Sequence, residues 1–232
     1  MKLTNIITGM LLLAAPCASG QQTTPQDVQP VHTATIYKKG DNGFDTYRIP
    51  ATVRTKKGTV LAFAEARKHS RSDTGDIDLV LRRSTDGGRT WGDIITVWDD
   101  AGNVCGNPAP VVDRETGGIL LLSTWNDGTD HEKDIHARTA KDTRRVFMLY
   151  SDDDGLTWSS PREITPSVKR EDWTWYATGP CHAIQLQKGK HKGRIVVSCN
   201  HGLFKDGKGE GSYSHLIYSD DHGQTWAIGG EG

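Results

Sequence analysis

The chain has 232 residues, with 28 basic against 29 acidic side chains and a net charge of −1. That balance, with no basic block and no acidic tail, argues against a nucleic-acid partner, and the length is ample for one domain. Abundant glycine (26) and tryptophan (7) suit a turn-rich all-β protein. In chain order, Met1-Lys2 and the apolar run 6–15 predict a signal peptide over 1–20, with Ala18-Ser19-Gly20 as a small-residue cleavage site. The run is too short to cross a membrane as a helix, and no other segment is a candidate span. Cys17 offers a lipidated alternative, which the preceding Pro16 fits poorly. Residues 21–32, polar with two prolines, read as a linker, and the remainder, 33–232, as one domain. The expected location is outside the cytoplasm: periplasm, outer surface or medium.

After an isolated strand at 33–37, strand-like runs come in sets of four. The first set is 48–54, 59–66, 77–83 and 94–98; the second is 108–113, 119–124, 145–150 and 162–164; the third is 182–186, 194–199, 215–218 and 226–228. Each third run enters one octet, Ser-x-Asp-x-Gly-x-Thr-Trp, at Ser84–Trp91, Ser151–Trp158 and Ser219–Trp226. Repetition at this period marks a repeat architecture. The Asp accepts backbone N–H groups, the Gly takes a positive φ, and the hydroxyls satisfy the rest, so each octet reads as a hairpin turn rather than a calcium or sugar site. Four-stranded antiparallel sheets repeated radially are the blades of a β-propeller. The predicted fold is therefore an all-β propeller with Asp-box turns, about three blades of an expected six. In such a meander the octets lie on one face, and the starts of first strands share the other with the loops between second and third strands.

On that second face stand three long loops, 67–76, 125–144 and 201–214, and the strand starts Arg48, Asn107-Pro108 and Gly179-Pro180. Functional residues concentrate on loops over rigid scaffolds. Arg48, at a first-strand start, should point into the central mouth, where a guanidinium suits a carboxylate ligand or forms a salt bridge to a neighbouring acid. Trp125 could stack on a sugar or close the second blade. His131 and His136 lie among Asp127, Asp130, Glu132 and Asp134, but their spacing matches no familiar metal pattern. The runs around Cys181 and Cys199 suggest a hairpin centred near Lys190, which would set the two cysteines opposite each other, as a disulfide or as two buried thiols.

Phe44-Asp-Thr-Tyr-Arg48-Ile-Pro50, Ala62-Phe-Ala-Glu-Ala-Arg67, Ser72-Asp73-Thr-Gly75 and the octets together resemble the exo-α-sialidases (neuraminidases). Trp173-Thr-Trp175-Tyr-Ala-Thr-Gly179-Pro180 is also similar to that family, and the resemblance covers the chain from about Thr33 onward. It implies that Arg48 is one of three arginines clamping the sialic acid carboxylate, that Arg67 lines the same pocket, and that Asp73 is the general acid and then base. It implies further that Asn107 borders the substrate and that Ile49 touches the N-acetyl side. The implied partners are sialylated glycans, with no cofactor and no nucleic acid.

The chemistry suits these residue types. A carboxylate on the anomeric carbon repels an anionic nucleophile, so a tyrosine replaces the usual acid, while the leaving oxygen takes its proton from an acid such as Asp73. Asp76 and Asp78 are rivals for that role. The family's tyrosine nucleophile, its activating glutamate and two further clamp arginines have no match in these 232 residues, which suggests a truncated chain, inactive alone. The alternative function is a catalytically silent Asp-box propeller that binds glycans or proteins.

Overall fold

A computed structural model describes residues 32–231. The expected signal peptide, Cys17 and the linker up to residue 31 lie outside the described residues. The first four strands are β1 (Thr46–Arg54), β2 (Val60–Arg67), β3 (Ile77–Ser84) and β4 (Ile95–Trp98). The next are β5 (Val104–Val112), β6 (Ile119–Asn126), β7 (Arg145–Ser151) and β8 (Arg162–Glu163), and the last are β9 (Trp173–Gln185), β10 (Ile195–Lys205), β11 (Lys208–Ser219) and β12 (Ala227–Glu231). Within each set, successive strands pair antiparallel. Two short helices interrupt the connections: α1 (Glu132–Ala137) between β6 and β7, and α2 (Thr165–Val168) between the second and third sets.

The fold is a β-propeller of four-stranded blades. The inner strands β1, β5 and β9 pack against one another, and a single parallel bridge, Ile77 to Val104, links the first two blades. Middle strands of the first two blades are largely covered on both faces, which is why β2 and β6 read as continuous apolar runs; in the third blade β10 and β11 alternate, and Leu216 is exposed. Leu61, Phe63, Leu79 and Leu81 of the first blade share a core with Ile119, Leu121 and Leu149 of the second, all fully buried. Leu120 and Leu122, on the second blade's other side, join Ile195, Val197 and Ile217 of the third. The hydrophobic core thus lies between blades.

The octets are the turns their chemistry predicts. In each, the serine Oγ accepts the glycine N–H at 2.8, 3.0 and 2.8 Å. The threonine hydroxyl donates to the aspartate at 2.6 Å in all three. The variable residue before the glycine adopts a positive φ: 76° at Gly87, 67° at Asp154 and 60° at His222. From that position Asp154 accepts Thr59 Oγ1 (2.5 Å) and Arg83 Nη2 (2.9 Å) of the preceding blade. His222 Nδ1 likewise meets Asp113 Oδ2 of its preceding blade at 2.6 Å.

Three expectations need correction. Residues 33–37 form no strand; Tyr37 instead donates to Ala62 O at 2.6 Å and stacks on Tyr47. The third loop, 201–214, is mostly strand, because β10 and β11 continue to a two-residue turn at Asp206-Gly207, both at positive φ (51° and 79°). Asp-Gly is a favoured hairpin turn of this kind, and β9 starts early, at Trp173, to pair with the extension. Finally, the hairpin centred near Lys190 exists, with Val197 opposite Ala183, but a bulge follows and sets Cys199 opposite Thr178. Cys181 is left exposed, Cys199 is buried, and both are free.

Candidate functional site

Each inner strand is bulged at the same place. The register slips between Arg48 and Ala51, between Gly106 and Ala109, and near Gly179. At each slip a residue with positive φ precedes a proline: Ile49 at 53°, Asn107 at 53° and Gly179 at 78°. For a β-branched residue such as Ile49 this backbone is an outlier, of the strained kind that clusters at functional sites. The bulge re-aims the side chains around it; Asn107 and Gly179, expected at strand starts, instead lie inside β5 and β9, because pairing with the next strand begins before the bulge, at Val104 and Trp173.

Arg48 and Arg67 converge on one atom. Arg48 Nη1 and Arg67 Nη1 each lie 2.7 Å from Asp73 Oδ1. Arg67, only 3% exposed, also donates through Nη1 to the carbonyls of Arg71 (2.8 Å) and Ser72 (2.5 Å), which pins the loop carrying Asp73. Its Nη2 meets Glu65 Oε2 at 2.5 Å, and Glu65 is equally buried. Asp73 itself is 70% exposed. Burial pushes its carboxyl up, but the hydrogen bond from Arg67 and the charges of Arg67 and Arg48 outweigh this and hold it below the usual carboxylate range.

Glu65 carries the network into the second blade. Its Oε1 accepts the backbone N–H of Asn107 at 2.9 Å, and Gly106 must lack a Cβ there, since one would stand 2.6 Å from that oxygen. Asn107 O accepts Thr178 Oγ1 (2.7 Å) from the third blade. Asn107 Oδ1 accepts Thr124 Oγ1 (2.8 Å) and Arg144 Nη2 (2.6 Å). Arg144 is buried, with Nε on Tyr176 O, Nη1 on Asn126 Oδ1, and its guanidinium 4.2 Å from the Trp175 ring centroid. Burial pushes its pKa down to about 10.

Other candidates lie apart from this network. The Trp125 indole donates to Asp100 Oδ2 at 2.6 Å and packs on the core shared by the first two blades. His136 contacts Thr174 Oγ1 (3.0 Å) and Glu132 (3.6 Å), and no group of potential ligands with metal-holding geometry occurs among the described residues. Asp78 is pushed up to about 7 by burial and by the nearby Asp99 and Asp76. As a proton donor it has the more suitable pKa, but it is 3% exposed, so access favours Asp73. Glu65 and Arg144 were not singled out by sequence. Glu65 stands inside the Ala62–Arg67 motif, where its burial gave no signal, and Arg144 is one of several charged residues in a long loop.

Residues 58–231 match the model of the BNR repeat-like domain family. An exo-alpha-sialidase of Aspergillus fumigatus is 37% identical over 165 residues, covering 64% of this chain and 40% of its own length. A sialidase of Micromonospora viridifaciens is 32% identical over 223 residues, covering 88% of this chain and 32% of its own. Among solved structures, the Hadza microbial sialidase Hz136 aligns with a TM-score of 0.71 at 29% identity, over 83% of this chain and 39% of that one. The chain therefore spans less than half the length of each of these relatives.

Proposed function

Because the chain belongs to the sialidase family and carries its BNR repeat-like domain, we propose that it forms part of a retaining exo-α-sialidase that releases terminal sialic acid from glycoconjugates. The observation that carries this reading is the convergence of Arg48 and Arg67 on Asp73 Oδ1. Arg48, 37% exposed at a propeller mouth and closing on a carboxylate, provides a receptor for the sugar's carboxylate, with Arg67 buried behind it and an acid beside it.

In this state Asp73 takes the place a substrate carboxylate would occupy. When that carboxylate binds Arg48, it draws off guanidinium charge and adds a negative neighbour, and both changes raise the pKa of Asp73. Asp73 then protonates the glycosidic oxygen as the bond to the anomeric carbon breaks, and later accepts a proton from the water that releases the sugar. Arg67 holds the backbone of Arg71 and Ser72 throughout. Asn107 and the strained Ile49 border the ring, and Trp125 is a more distant contact. The tyrosine–glutamate pair and two further arginines are assigned to the rest of the full-length protein. Export through the 1–20 signal fits a substrate on extracellular glycans.

The test is release of sialic acid from a sialoside with an unactivated sugar leaving group by the full-length protein, with Asp73→Asn beside it. Loss of about 10²–10⁴-fold in turnover of a substrate with a poor leaving group is expected. Unchanged turnover removes Asp73 from the role. No turnover by the wild type leaves a non-catalytic, glycan- or protein-binding propeller.

A further inference from the structure

Asn107 and Arg144 form an arrangement that the roles assigned above do not use. Asn107 Oδ1 faces Arg144 Nη2 at 2.6 Å and Thr124 Oγ1 at 2.8 Å. A guanidinium can only donate, so the atom facing Arg144 must be the carboxamide oxygen, and the amide cannot be flipped without setting two donors against each other. Nδ2 is thereby turned away from the protein network, and it has no hydrogen-bond partner among the described residues. The backbone of Asn107 is equally fixed, by Glu65 on its N–H and Thr178 on its C=O. Through Glu65 it adjoins Arg67 and so the Asp73 loop.

Arg144 is held just as firmly. Tyr176 O, Asn126 Oδ1, Asn107 Oδ1 and the face of Trp175 surround its guanidinium. All three hydrogen-bond acceptors are uncharged, so a 3%-exposed cation is fixed without a carboxylate in direct contact. A buried cation of this kind is costly unless its hydrogen bonds are met, so its retention beside the mouth calls for a reason beyond packing.

We propose that Arg144 is a positioning residue that locks the Asn107 carboxamide with its Nδ2–H donors facing the mouth, where they read an uncharged acceptor oxygen, hydroxyl or amide carbonyl, on the substrate ring. The inference rests on the sialidase reading and deepens it: Arg48 takes the carboxylate, and Asn107, set by Arg144, takes a neutral substituent. Such a contact is made in ground and transition states alike, so it acts on KM and leaves kcat nearly unchanged.

The experiment uses the full-length enzyme and a fluorogenic sialoside, with Arg144→Met, Asn107→Ala, the double variant, Arg144→Lys and Asn107→Asp. Arg144→Met and Asn107→Ala should each raise KM about threefold to tenfold, the scale of one hydrogen bond, with kcat little changed. The double variant should be no worse than the worse single, and Arg144→Lys should recover part of the loss. Asn107→Asp keeps Arg144 partnered but replaces the donor with an acceptor and adds a negative charge, so it should stay folded and raise KM at least as far as Asn107→Ala. Additive single effects, an unchanged KM in Arg144→Met, or a wild-type KM in Asn107→Asp would each overturn the proposal while wild-type turnover leaves the sialidase reading standing. Absence of turnover in the wild type would overturn both.

Discussion

Glu65 accepts the backbone N–H of Asn107 across the seam between the first two blades, Oε1 to N at 2.9 Å. The same carboxylate holds Arg67 from its other oxygen, and both side chains are 3% exposed. Removing Glu65 leaves the buried Arg67 with only the exposed Asp73 as an anionic partner, and breaking a buried pair costs up to about 3–5 kcal/mol. Glu65→Ala should therefore lower the unfolding midpoint sharply, and Glu65→Gln, which still offers an oxygen, should lower it less. Chemical denaturation of the three proteins checks this; equal stability would show that the pair is dispensable.

Asp78 gives the opposite dependence on charge. Its folded pKa is raised to about 7 by burial and by Asp99 and Asp76, against about 3.9 in an unfolded chain. Between these values the folded state binds the extra proton, so stability falls as pH rises from about 4 to about 7 and then levels off. Asp78→Asn, neutral throughout, should be more stable than the wild type at pH 8 and nearly equal to it at pH 4. Midpoints measured across that range would decide; a wild-type advantage at pH 8 contradicts the assignment.

The octet aspartates act in a more acidic window. Burial is the largest single influence on Asp153 and raises it, but the hydrogen bonds from Thr157, Ser151 and the Leu156 N–H together outweigh it and bring its pKa down to about 2. Asp221 is lowered in the same way, by Thr225. A depressed folded pKa contributes stability above the unfolded value of about 3.9, and that contribution is lost as pH falls toward the folded one. Thermal melts from pH 5 to pH 2 should show a steep decline, and Asp153→Asn should show a shallower one from a lower starting point. Parallel curves would mean that Asp153 does not contribute through its charge.

Cysteine labelling tests the third blade's bulge. Cys181 is exposed, whereas Cys105 and Cys199 are buried, and burial pushes both of their thiols up, Cys199 to about 12. Native protein treated with a thiol-specific reagent should be modified at Cys181 and spared at the other two, as read by peptide mass mapping. A recovered Cys181–Cys199 disulfide would contradict the register that sets Cys199 opposite Thr178.

Most of the blade plan was legible because it rests on local chemistry. The octets specify their own turns, and the apolar runs before them could be placed without knowing their partners. The remainder depended on contacts between blades. The inner-strand bulges shift the register at Asn107 and beside Cys181, and no short-range pattern shows which residue slips. The Asp206-Gly207 turn was readable by its residue types, but its flanking glycines and serines looked like a loop until the early part of β9 gave them a partner. Within the site, Arg48 stood out at a first-strand start, whereas Arg67 and Asp73 were marked only by the resemblance of the motifs that hold them. Glu65 and Arg144 act through burial, which a sequence records only as one more charge.

The variable position of the octet has a consequence for how such a protein can be built. Asp154 reaches back to Thr59 and Arg83, while His222 reaches back to Asp113. Each turn thus carries a one-residue address that names the blade before it. Exchanging the second and third octets alone would set a carboxylate against the buried Asp113 and leave Arg83 facing an imidazole in place of its carboxylate. The modules look interchangeable in outline, yet their order around the ring is written into a position that the repeat itself leaves free to vary.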